Sequence, residues 1–235
     1  MMCLVLAGGR GSRLQSLSHG VPKPMMPVGG RPFLEHLILR LRRQGFAEVT
    51  LCTGCGATVL RAYFGDGALW DLRIDYSHEA EPLGTGGAVQ RALARCRDEN
   101  FLVMNGDSLA NGDFRDLVAF HFLKGGVGTL ALARVENTRR FGRVEVDGED
   151  RIRQFGEKDG EGPGLINGGV YVLTRRAFDL TPEGPFSLER DLFPRLIEQG
   201  LYGRPWGDHF VDIGEPEDYR RLVSSPPAWP GMIQP

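Results

Sequence analysis

The chain has 235 residues, a formal net charge of −2 and 41% hydrophobic residues. This length is enough to bury a substantial apolar core in one large domain. The near-neutral charge and the lack of a Lys/Arg-rich run argue against a nucleic-acid or anionic-membrane partner, so we expect a small-molecule ligand. No apolar run is long enough to cross a membrane and the first residues lack a signal-peptide pattern, which predicts a cytoplasmic protein.

Apolar runs and helical periodicities alternate along the first half of the chain. The run 2–6 opens into Ala7-Gly8-Gly9, which is typical of a buried strand before a glycine loop. Pro32 and the spacing of the apolar residues after it predict a helix that Gly45 ends. We predict further strands at 49–52, 73–76, 101–104 and 127–133, and further helices at 57–64, 86–95 and 114–124. This alternation predicts a Rossmann-like three-layer α/β/α fold with a mostly parallel sheet and with ligands beyond the carboxyl ends of its strands.

The pattern changes in the second half of the chain. Two short runs at 142–146 and 151–155 flank Asp147-Gly148, which predicts a β-hairpin and thus a small antiparallel insertion. A returning strand is predicted at 164–173, and closing helices are predicted at 188–198 and 215–223. No internal repeat or low-complexity linker interrupts the sequence. We therefore predict a single domain over residues 1–224 and an irregular tail over 225–235.

A glycine-rich segment follows the first predicted strand. Residues 6–13 read L-A-G-G-R-G-S-R, and Lys23-Pro24 follows. The amides of such a loop can cradle phosphate oxygens, while Arg13 and Lys23 supply the positive charge that a triphosphate and a developing pyrophosphate need. The loop lacks the G-K-[ST] ending of a P-loop, and Leu14 stands where a dinucleotide fingerprint has its last glycine. The segment therefore predicts a polyphosphate site of neither standard type.

Two aspartates follow or end apolar runs that read as strands. Asp107 comes just after the strand 101–104, and Asp212 lies in Phe210-Val-Asp-Ile. Side chains at the carboxyl edge of a parallel sheet share one crevice, so these carboxylates can meet around one hard cation. A helix-cap or turn role is the alternative for each.

A second glycine-rich segment lies at the start of the predicted helix 86–95. Gly84, Gly86 and Gly87 flank Thr85, and we expect a flat nucleobase to lie close to this backbone. Glu81 is a candidate acceptor for the donor groups of guanine. An ordinary capped helix start is the alternative.

The cysteines and histidines give only weak evidence for a metal or redox site. Cys52 and Cys55 form a C-x-x-C pair, but no second pair of metal ligands accompanies them. We therefore favour inert thiols over a redox dithiol or half of a zinc site. The five histidines are scattered singly at spacings that fit no compact metal site.

The segment L-A-G-G-x-G-[ST]-R-L followed by K-P resembles the signature of the sugar-phosphate nucleotidyltransferases. Six further segments resemble motifs of that family in the same order, and they lie at 81–87, 105–108, 155–158, 166–169, 186–189 and 211–218. Together they cover nearly the whole chain. Within the family the likeness is strongest to D-glycero-α-D-manno-heptose 1-phosphate guanylyltransferases of bacterial capsule or lipopolysaccharide pathways.

The resemblance implies a nucleotide-diphospho-sugar transferase fold, with a nucleotide-binding part at about 1–112 and a sugar-binding part at about 113–224. It implies Mg²⁺ as cofactor, held by Asp107 and Asp212. The residues implied for nucleotide binding are Leu6, Ala7, Gly8, Gly9, Gly11, Ser12, Glu81, Gly84, Thr85, Gly86, Asn105 and Gly106.

For the sugar phosphate, the resemblance implies contacts from Glu157 and Lys158. Asn167 and Gly168 resemble the sugar-contacting segment, and a glycine at 168 would leave room for a bulky sugar. Glu189 would accept hydrogen bonds from sugar hydroxyls, or would serve as an ordinary first-turn glutamate.

We therefore predict transfer of GMP from GTP to a sugar 1-phosphate, with pyrophosphate released. Arg13 would hold the β- and γ-phosphates, Lys23 the α-phosphate and Lys158 the attacking phosphate. Three alternatives remain open. They are uridylyl or thymidylyl transfer to a hexose or N-acetylmuramate 1-phosphate, an NAD-dependent oxidoreductase, and a nonenzymatic nucleotide-sugar sensor. The sequence also leaves open a homo-oligomer.

Overall fold

The computed structural model describes residues 1–9, 11, 14, 18, 20–157, 160–207 and 209–224. Its strands are β1 (Cys3–Leu6), β2 (Pro27–Val28), β3 (Arg31–Pro32), β4 (Glu48–Thr53), β5 (Arg73–His78), β6 (Asn100–Asn105), β7 (Ser108–Ala110), β8 (Gly128–Val135), β9 (Val144–Val146), β10 (Ile152–Phe155), β11 (Gly164–Thr174), β12 (Leu201–Pro205) and β13 (Phe210–Asp212). Its α-helices are α1 (Phe33–Arg43), α2 (Ala57–Phe64), α3 (Gly84–Leu93), α4 (Phe114–Lys124), α5 (Phe193–Leu196) and α6 (Pro216–Ser224).

A seven-stranded sheet in the order β12-β8-β11-β6-β1-β4-β5 forms the centre of the fold. Strand β1 pairs in parallel with β4 and β6, β4 with β5, and β12 with β8, whereas β11 is antiparallel to both β6 and β8. The prediction of a mostly parallel sheet with a returning strand is therefore confirmed. The residues that follow β1, β5 and β6 consequently lie at one edge of the sheet.

Two apolar clusters cover the two faces of this sheet. Cys3 and Val5 of β1 point into one cluster, while Met2 and Leu4 point into the other. Alternate residues of a strand face opposite sides, so both faces of β1 are buried. This arrangement is the three-layer fold that the sequence predicts, and it makes the central strands a rigid support for whatever follows them.

Several boundaries agree closely with the sequence prediction. Helices α2 and α4 begin and end at the predicted residues, and α4 begins at a cap where the Asp113 side chain accepts a hydrogen bond from the Arg115 amide. The predicted hairpin is formed by β9 and β10, which pair antiparallel. Pro32 lies just before α1 and is not its first residue.

Two parts of the prediction differ from the structure. The helix predicted at 188–198 is a π-helical turn (Leu188–Leu192), the short α5 and a 3-10 turn (Ile197–Gln199), with Pro194 in the first turn of α5. A proline has no amide hydrogen to continue a regular hydrogen-bond ladder. Strand β12 was missed because Gly203 and Pro205 resemble turn residues, although an edge strand tolerates proline.

The small pairing of β7 with β13 was also missed, because each strand has three residues and neither shows a periodic pattern. In the part of the chain that the structure describes, no helix is both long and apolar enough to cross a membrane. The predicted tail at 225–235 lies outside the described residues.

Candidate active site

A cavity of about 570 Å³ opens at the carboxyl ends of the central strands. Its volume lies in the range of roughly 300–1,000 Å³ that is usual for small-molecule sites. The residues that line it are Leu6, Gly8, Gly9, Cys52, Gly54, Cys55, His78, Glu79, Ala80, Glu81, Pro82, Gly84, Thr85, Ala88, Asn105 and Asp107. Eight of the predicted site residues are in this lining, so the structure brings the first glycine loop and the start of α3 to one cavity.

The glycine loop after β1 packs closely against other walls of the cavity. A Cβ atom at Gly8 would lie 2.9 Å from Glu79 Oε1, so a side chain there would require the Glu79 carboxylate to shift. Gly11 has a φ of +58°, and a Cβ atom would lie 3.0 Å from Lys23 Cβ. Glycine at this position therefore permits both the left-handed backbone and the close approach of Lys23. Ser12 and Arg13 lie outside the described residues.

Lys23, Asp107 and Asp212 converge at the cavity edge. Lys23 Nζ donates to Asp107 Oδ2 at 2.6 Å and lies 3.8 Å from Asp212 Oδ1. The Lys23 side chain is 12% exposed, so its ammonium group is held in this position and is only weakly screened by water. Three residues that are far apart in the sequence thus form one charged cluster.

Short backbone pairings explain why the two aspartates meet. Strand β7 follows Asp107 and pairs antiparallel with β13, in a register that places Ser108 opposite Asp212. The Ile213 amide donates to the Asp107 carbonyl at 2.9 Å, and the Gly214 amide donates to Asp212 Oδ1 at 2.6 Å. These hydrogen bonds fix the backbone at both aspartates and orient the Asp212 carboxylate.

The two carboxylates are placed to hold a divalent cation, because the ammonium group of Lys23 already lies within 3.8 Å of both. Carboxylate oxygens are the ligands that Mg²⁺ prefers. Among the described side chains no group of three or more His, Cys, Asp or Glu converges in a way that could hold a metal ion. A cation at this position would thus take its remaining ligands from substrate phosphates and water, as is usual for Mg²⁺.

Glu79 is a cavity residue that the sequence analysis missed. It follows β5 directly, is half-buried, and its Oε2 accepts a hydrogen bond from the Leu83 amide at 3.2 Å. Its charge contributes, after burial, to raising the pKa of the neighbouring Cys52 thiol to about 12. The neighbouring Glu81 also lines the cavity but is exposed. An acidic residue directly after a predicted strand was the available signal for Glu79.

The start of α3 packs against Phe186 in a way the sequence did not reveal. A Cβ atom at Gly86 would lie 2.1 Å from the Phe186 ring, and one at Gly84 would lie 2.4 Å from the Phe186 carbonyl oxygen. The expectation that glycine stands at position 86 to make room for a nucleobase is therefore wrong. Glycine at this position makes room for the Phe186 ring. Gly84 and Thr85 still line the cavity.

The expectation about Gly168 is also corrected. A Cβ atom there would lie 2.9 Å from the Ala131 carbonyl oxygen of β8. The absence of a side chain therefore permits close strand packing at a register shift between β11 and β8, and does not create space for a sugar. Gly106 is similar, because a Cβ atom would lie 2.6 Å from the Leu6 carbonyl oxygen.

The other predicted sugar contacts are partly occupied by the protein itself. Asn167 donates to the Tyr171 hydroxyl at 3.0 Å and accepts from the Gly169 amide at 2.9 Å. Glu189 accepts from the hydroxyls of Thr85 and Ser187 at 2.8 and 2.7 Å. Glu157 is exposed beside the β9–β10 hairpin, and Lys158 lies outside the described residues.

The four cysteines, Cys3, Cys52, Cys55 and Cys96, are free thiols, and Cys55 alone among them is exposed. Burial raises the pKa of the Cys3 thiol well above its ordinary value. A protonated buried thiol is a poor nucleophile and a poor metal ligand. Inert thiols at Cys3 and Cys52 thus fit their surroundings.

The family model described as Nucleotidyl transferase matches residues 2–225. The chain belongs to this family. Nucleotidyltransferases of this family generally use a divalent metal ion. The family membership agrees with the resemblance of the glycine loop and with the fold.

Individual relatives agree with this assignment. A mannose-1-phosphate guanylyltransferase from Mycobacterium tuberculosis is 41% identical over 223 residues, which are 93% of this chain and 62% of that protein. The chain thus spans less than two thirds of that relative's length. A D-glycero-α-D-manno-heptose 1-phosphate guanylyltransferase from Campylobacter jejuni is 39% identical, covering 95% of this chain and 99% of its own length.

A solved structure agrees with the fold as well. HddC from Yersinia pseudotuberculosis, complexed with GMP-PN, matches with a TM-score of 0.85 and 30% identity, covering 95% of this chain and 98% of that one. The Campylobacter jejuni enzyme and HddC thus both resemble the chain over nearly their whole length.

Proposed function

We propose that the chain is a Mg²⁺-dependent guanylyltransferase that transfers GMP from GTP to a sugar 1-phosphate, with D-glycero-α-D-manno-heptose 1-phosphate favoured, and releases pyrophosphate. The observation that carries the proposal is the cluster of Lys23, Asp107 and Asp212 at the edge of a cavity that the glycine loop lines. Cations and carboxylates beside a glycine loop suit a polyphosphate substrate.

The reaction is an in-line displacement at the α-phosphorus of GTP. An oxygen of the sugar phosphate forms a new bond to that phosphorus, while the bond to the bridging oxygen of the β-phosphate breaks and pyrophosphate leaves. The attacking phosphate is already ionised near neutral pH, so alignment and charge stabilisation suffice. Lys23 would neutralise the charge that develops around the α-phosphorus, and Arg13 and Lys158 would hold the leaving and attacking phosphates. Mg²⁺ bound by Asp107 and Asp212 would neutralise phosphate charge.

Guanine as the base is supported by the acidic wall of the cavity. Glu79 and Glu81 both line it, and guanine presents two donor groups on its pairing edge. A carboxylate can accept from both donors, whereas adenine and the pyrimidines do not offer that pair. Glu79 is the better candidate because it is half-buried and its Oε2 is held by the Leu83 amide. The GMP-PN complex of HddC is consistent with this choice.

The sugar is supported by relatives whose whole length the chain matches. The heptose phosphate guanylyltransferase from Campylobacter jejuni is covered over 99% of its length, whereas the mannose phosphate enzyme extends well beyond the matched region. A mannose 1-phosphate acceptor is the second candidate, because the relative named for it has the higher identity of 41%.

A substrate matrix tests the proposal. The protein is mixed with Mg²⁺, one of GTP, ATP, UTP, CTP or dTTP, and one of the heptose, mannose, glucose or N-acetylmuramate 1-phosphates, and pyrophosphate release is measured. We expect the highest turnover with GTP and the manno-configured heptose phosphate. A clear preference for UTP or dTTP would overturn the guanine assignment, and release of no pyrophosphate from any pair would overturn the activity.

A further inference from the structure

Tyr171 lies on β11, is fully buried and is not part of the cavity lining. Its hydroxyl accepts from Asn167 Nδ2 at 3.0 Å and donates to Glu189 Oε1 at 3.3 Å, and β11 pairs with β6, which ends at Asn105. Glu189 takes the single donor position of the phenol, and Asn167 takes one of its two acceptor positions. A buried hydroxyl bonded in this way fixes the positions of its partners relative to one another.

Both β6 and Glu189 connect Tyr171 to residues that line the cavity. Asn105 lines the cavity at the end of β6, two residues before Asp107. Glu189 accepts a hydrogen bond from the Thr85 hydroxyl at 2.8 Å, and Thr85 lines the cavity at the start of α3. Strand pairing therefore places Tyr171 beside the strand that ends at Asn105, and hydrogen bonds connect it through Glu189 to Thr85.

The link to α3 is reinforced by the backbone. The Phe186 amide donates to the Leu83 carbonyl at 3.0 Å, and the Gly86 amide donates back to the Phe186 carbonyl at 2.9 Å. The Leu188 amide donates to Thr85 Oγ1 at 2.8 Å. The Thr85 hydroxyl is thus a donor and an acceptor at once, and its orientation is determined by the segment that carries Glu189.

We propose that Tyr171 is a positioning residue for the nucleotide site, whose hydroxyl sets the Thr85 wall, through Glu189, against the strand that ends at Asn105. This inference rests on the proposed function, because it takes the cavity to be the nucleotide site. Removal of the hydroxyl leaves the Asn167 amide and the Glu189 carboxylate without their shared partner, and these groups must rearrange. Small displacements of cavity walls weaken alignment of a bound substrate.

A double-mutant cycle between Tyr171→Phe and Thr85→Val tests the inference, with the KM for GTP measured at saturating sugar 1-phosphate. We expect each substitution to raise this KM about three- to tenfold. In the double variant the factor by which the KM for GTP rises should be clearly smaller than the product of the two single-variant factors, because both substitutions act through the same Glu189 carboxylate.

Tyr76→Phe is the matched control. Tyr76 is also a buried tyrosine whose hydroxyl is hydrogen-bonded, in this case to the Gly65 carbonyl at 2.7 Å, but it packs in the other core cluster. We expect Tyr76→Phe to leave the KM for GTP unchanged, alone and combined with Thr85→Val. If the role of Tyr171 is merely structural, Tyr171→Phe should also leave the KM for GTP unchanged and should only lower the melting temperature. That result would overturn the inference.

If Tyr171→Phe does not fold, Glu189→Gln takes its place in the cycle, because an amide cannot accept from all three hydroxyls that the carboxylate serves. If the effects of Glu189→Gln and Thr85→Val on the KM for GTP then multiply, the inference is overturned. An inactive wild-type protein would overturn the proposed function and this inference with it. An active wild type whose KM is unaltered by Tyr171→Phe would overturn the inference alone.

Discussion

The ammonium group of Lys23 lies 2.6 Å from Asp107 Oδ2, so a cation already neutralises the carboxylate that we propose as a metal ligand. The same ammonium group is 3.8 Å from Asp212 Oδ1. Lys23 therefore stands where phosphate, metal and carboxylate charges would meet.

Replacement of Asp107 by alanine should lower turnover by about 10²-fold or more, because the site loses a charge that acts in the transition state. The fold should be retained, since the side chain is 37% exposed and follows the end of β6. Steady-state pyrophosphate release and circular dichroism measure the two effects. Asp116→Ala is the control, because Asp116 forms a surface pair with Arg204. Wild-type turnover in Asp107→Ala would refute the metal assignment.

Lys23→Met should lower kcat by about 10²-fold or more, since it removes a contact expected mainly in the transition state. It should also tighten the binding of Mn²⁺ without nucleotide, because the ammonium group no longer competes for Asp107 and Asp212. Titration followed by electron paramagnetic resonance of free Mn²⁺ measures this affinity. Lys124→Met is the matched control, since Lys124 pairs with Asp150 at the surface. Equal Mn²⁺ affinity in the wild type and Lys23→Met would count against competition at this site.

Glu79→Gln should raise the KM for GTP by about tenfold or more and reduce the preference for GTP over ATP, because an amide cannot accept from both guanine donors as a carboxylate does. Glu81→Gln should have the smaller effect, since Glu81 is exposed and Glu79 is half-buried. Kinetics with GTP and ATP for both variants measure the difference. An unchanged nucleotide preference in Glu79→Gln would remove this residue from base recognition.

His121 makes the stability depend on pH. Burial lowers its pKa in the folded protein from the ordinary 6.5 to about 4. Between these values the unfolded chain binds a proton that the folded protein does not, so the free energy of unfolding falls as pH falls from 6.5 towards 4. His121→Gln should flatten this decline, as measured by urea unfolding at pH 7 and pH 5. An equal decline in both proteins would mean that other groups cause it.

Gly86→Ala should destabilise the protein by about 1–3 kcal/mol, since the added methyl group would collide with the Phe186 ring. The direction is informative because glycine to alanine in a helix interior normally stabilises by up to about 1 kcal/mol. Gly148→Ala, where a Cβ atom meets nothing within 4 Å, serves as the control in thermal unfolding. A more stable Gly86→Ala variant would show that Phe186 moves aside at little cost.

Local patterns were sufficient to predict the parts of the fold that are local in sequence. The strand before the glycine loop and the helices α2 and α4 follow from apolar spacing and caps. The pairing of β7 with β13, which brings Asp107 and Asp212 together, joins segments about a hundred residues apart and leaves no periodic signal.

At the site, too, local features could be predicted from the sequence, whereas contacts between distant segments could not. The cavity position of Asp107 and Thr85 agrees with the predicted strand ends and helix start. The contact between Gly86 and Phe186, and the hydrogen bond from Tyr171 to Glu189, depend on side chains that meet only in the folded protein. For that reason the glycines of α3 were attributed to a ligand when one of them accommodates the protein itself.

The central claim is that the cavity joins GMP to a sugar 1-phosphate. Phosphorus NMR of the protein with Mg²⁺, GTP and D-glycero-α-D-manno-heptose 1-phosphate follows every phosphate at once. We predict that the GTP and sugar phosphate signals decline together while equal amounts of a sugar-linked diphosphate and pyrophosphate appear. Release of orthophosphate and GDP, or no change in either substrate, would contradict the account.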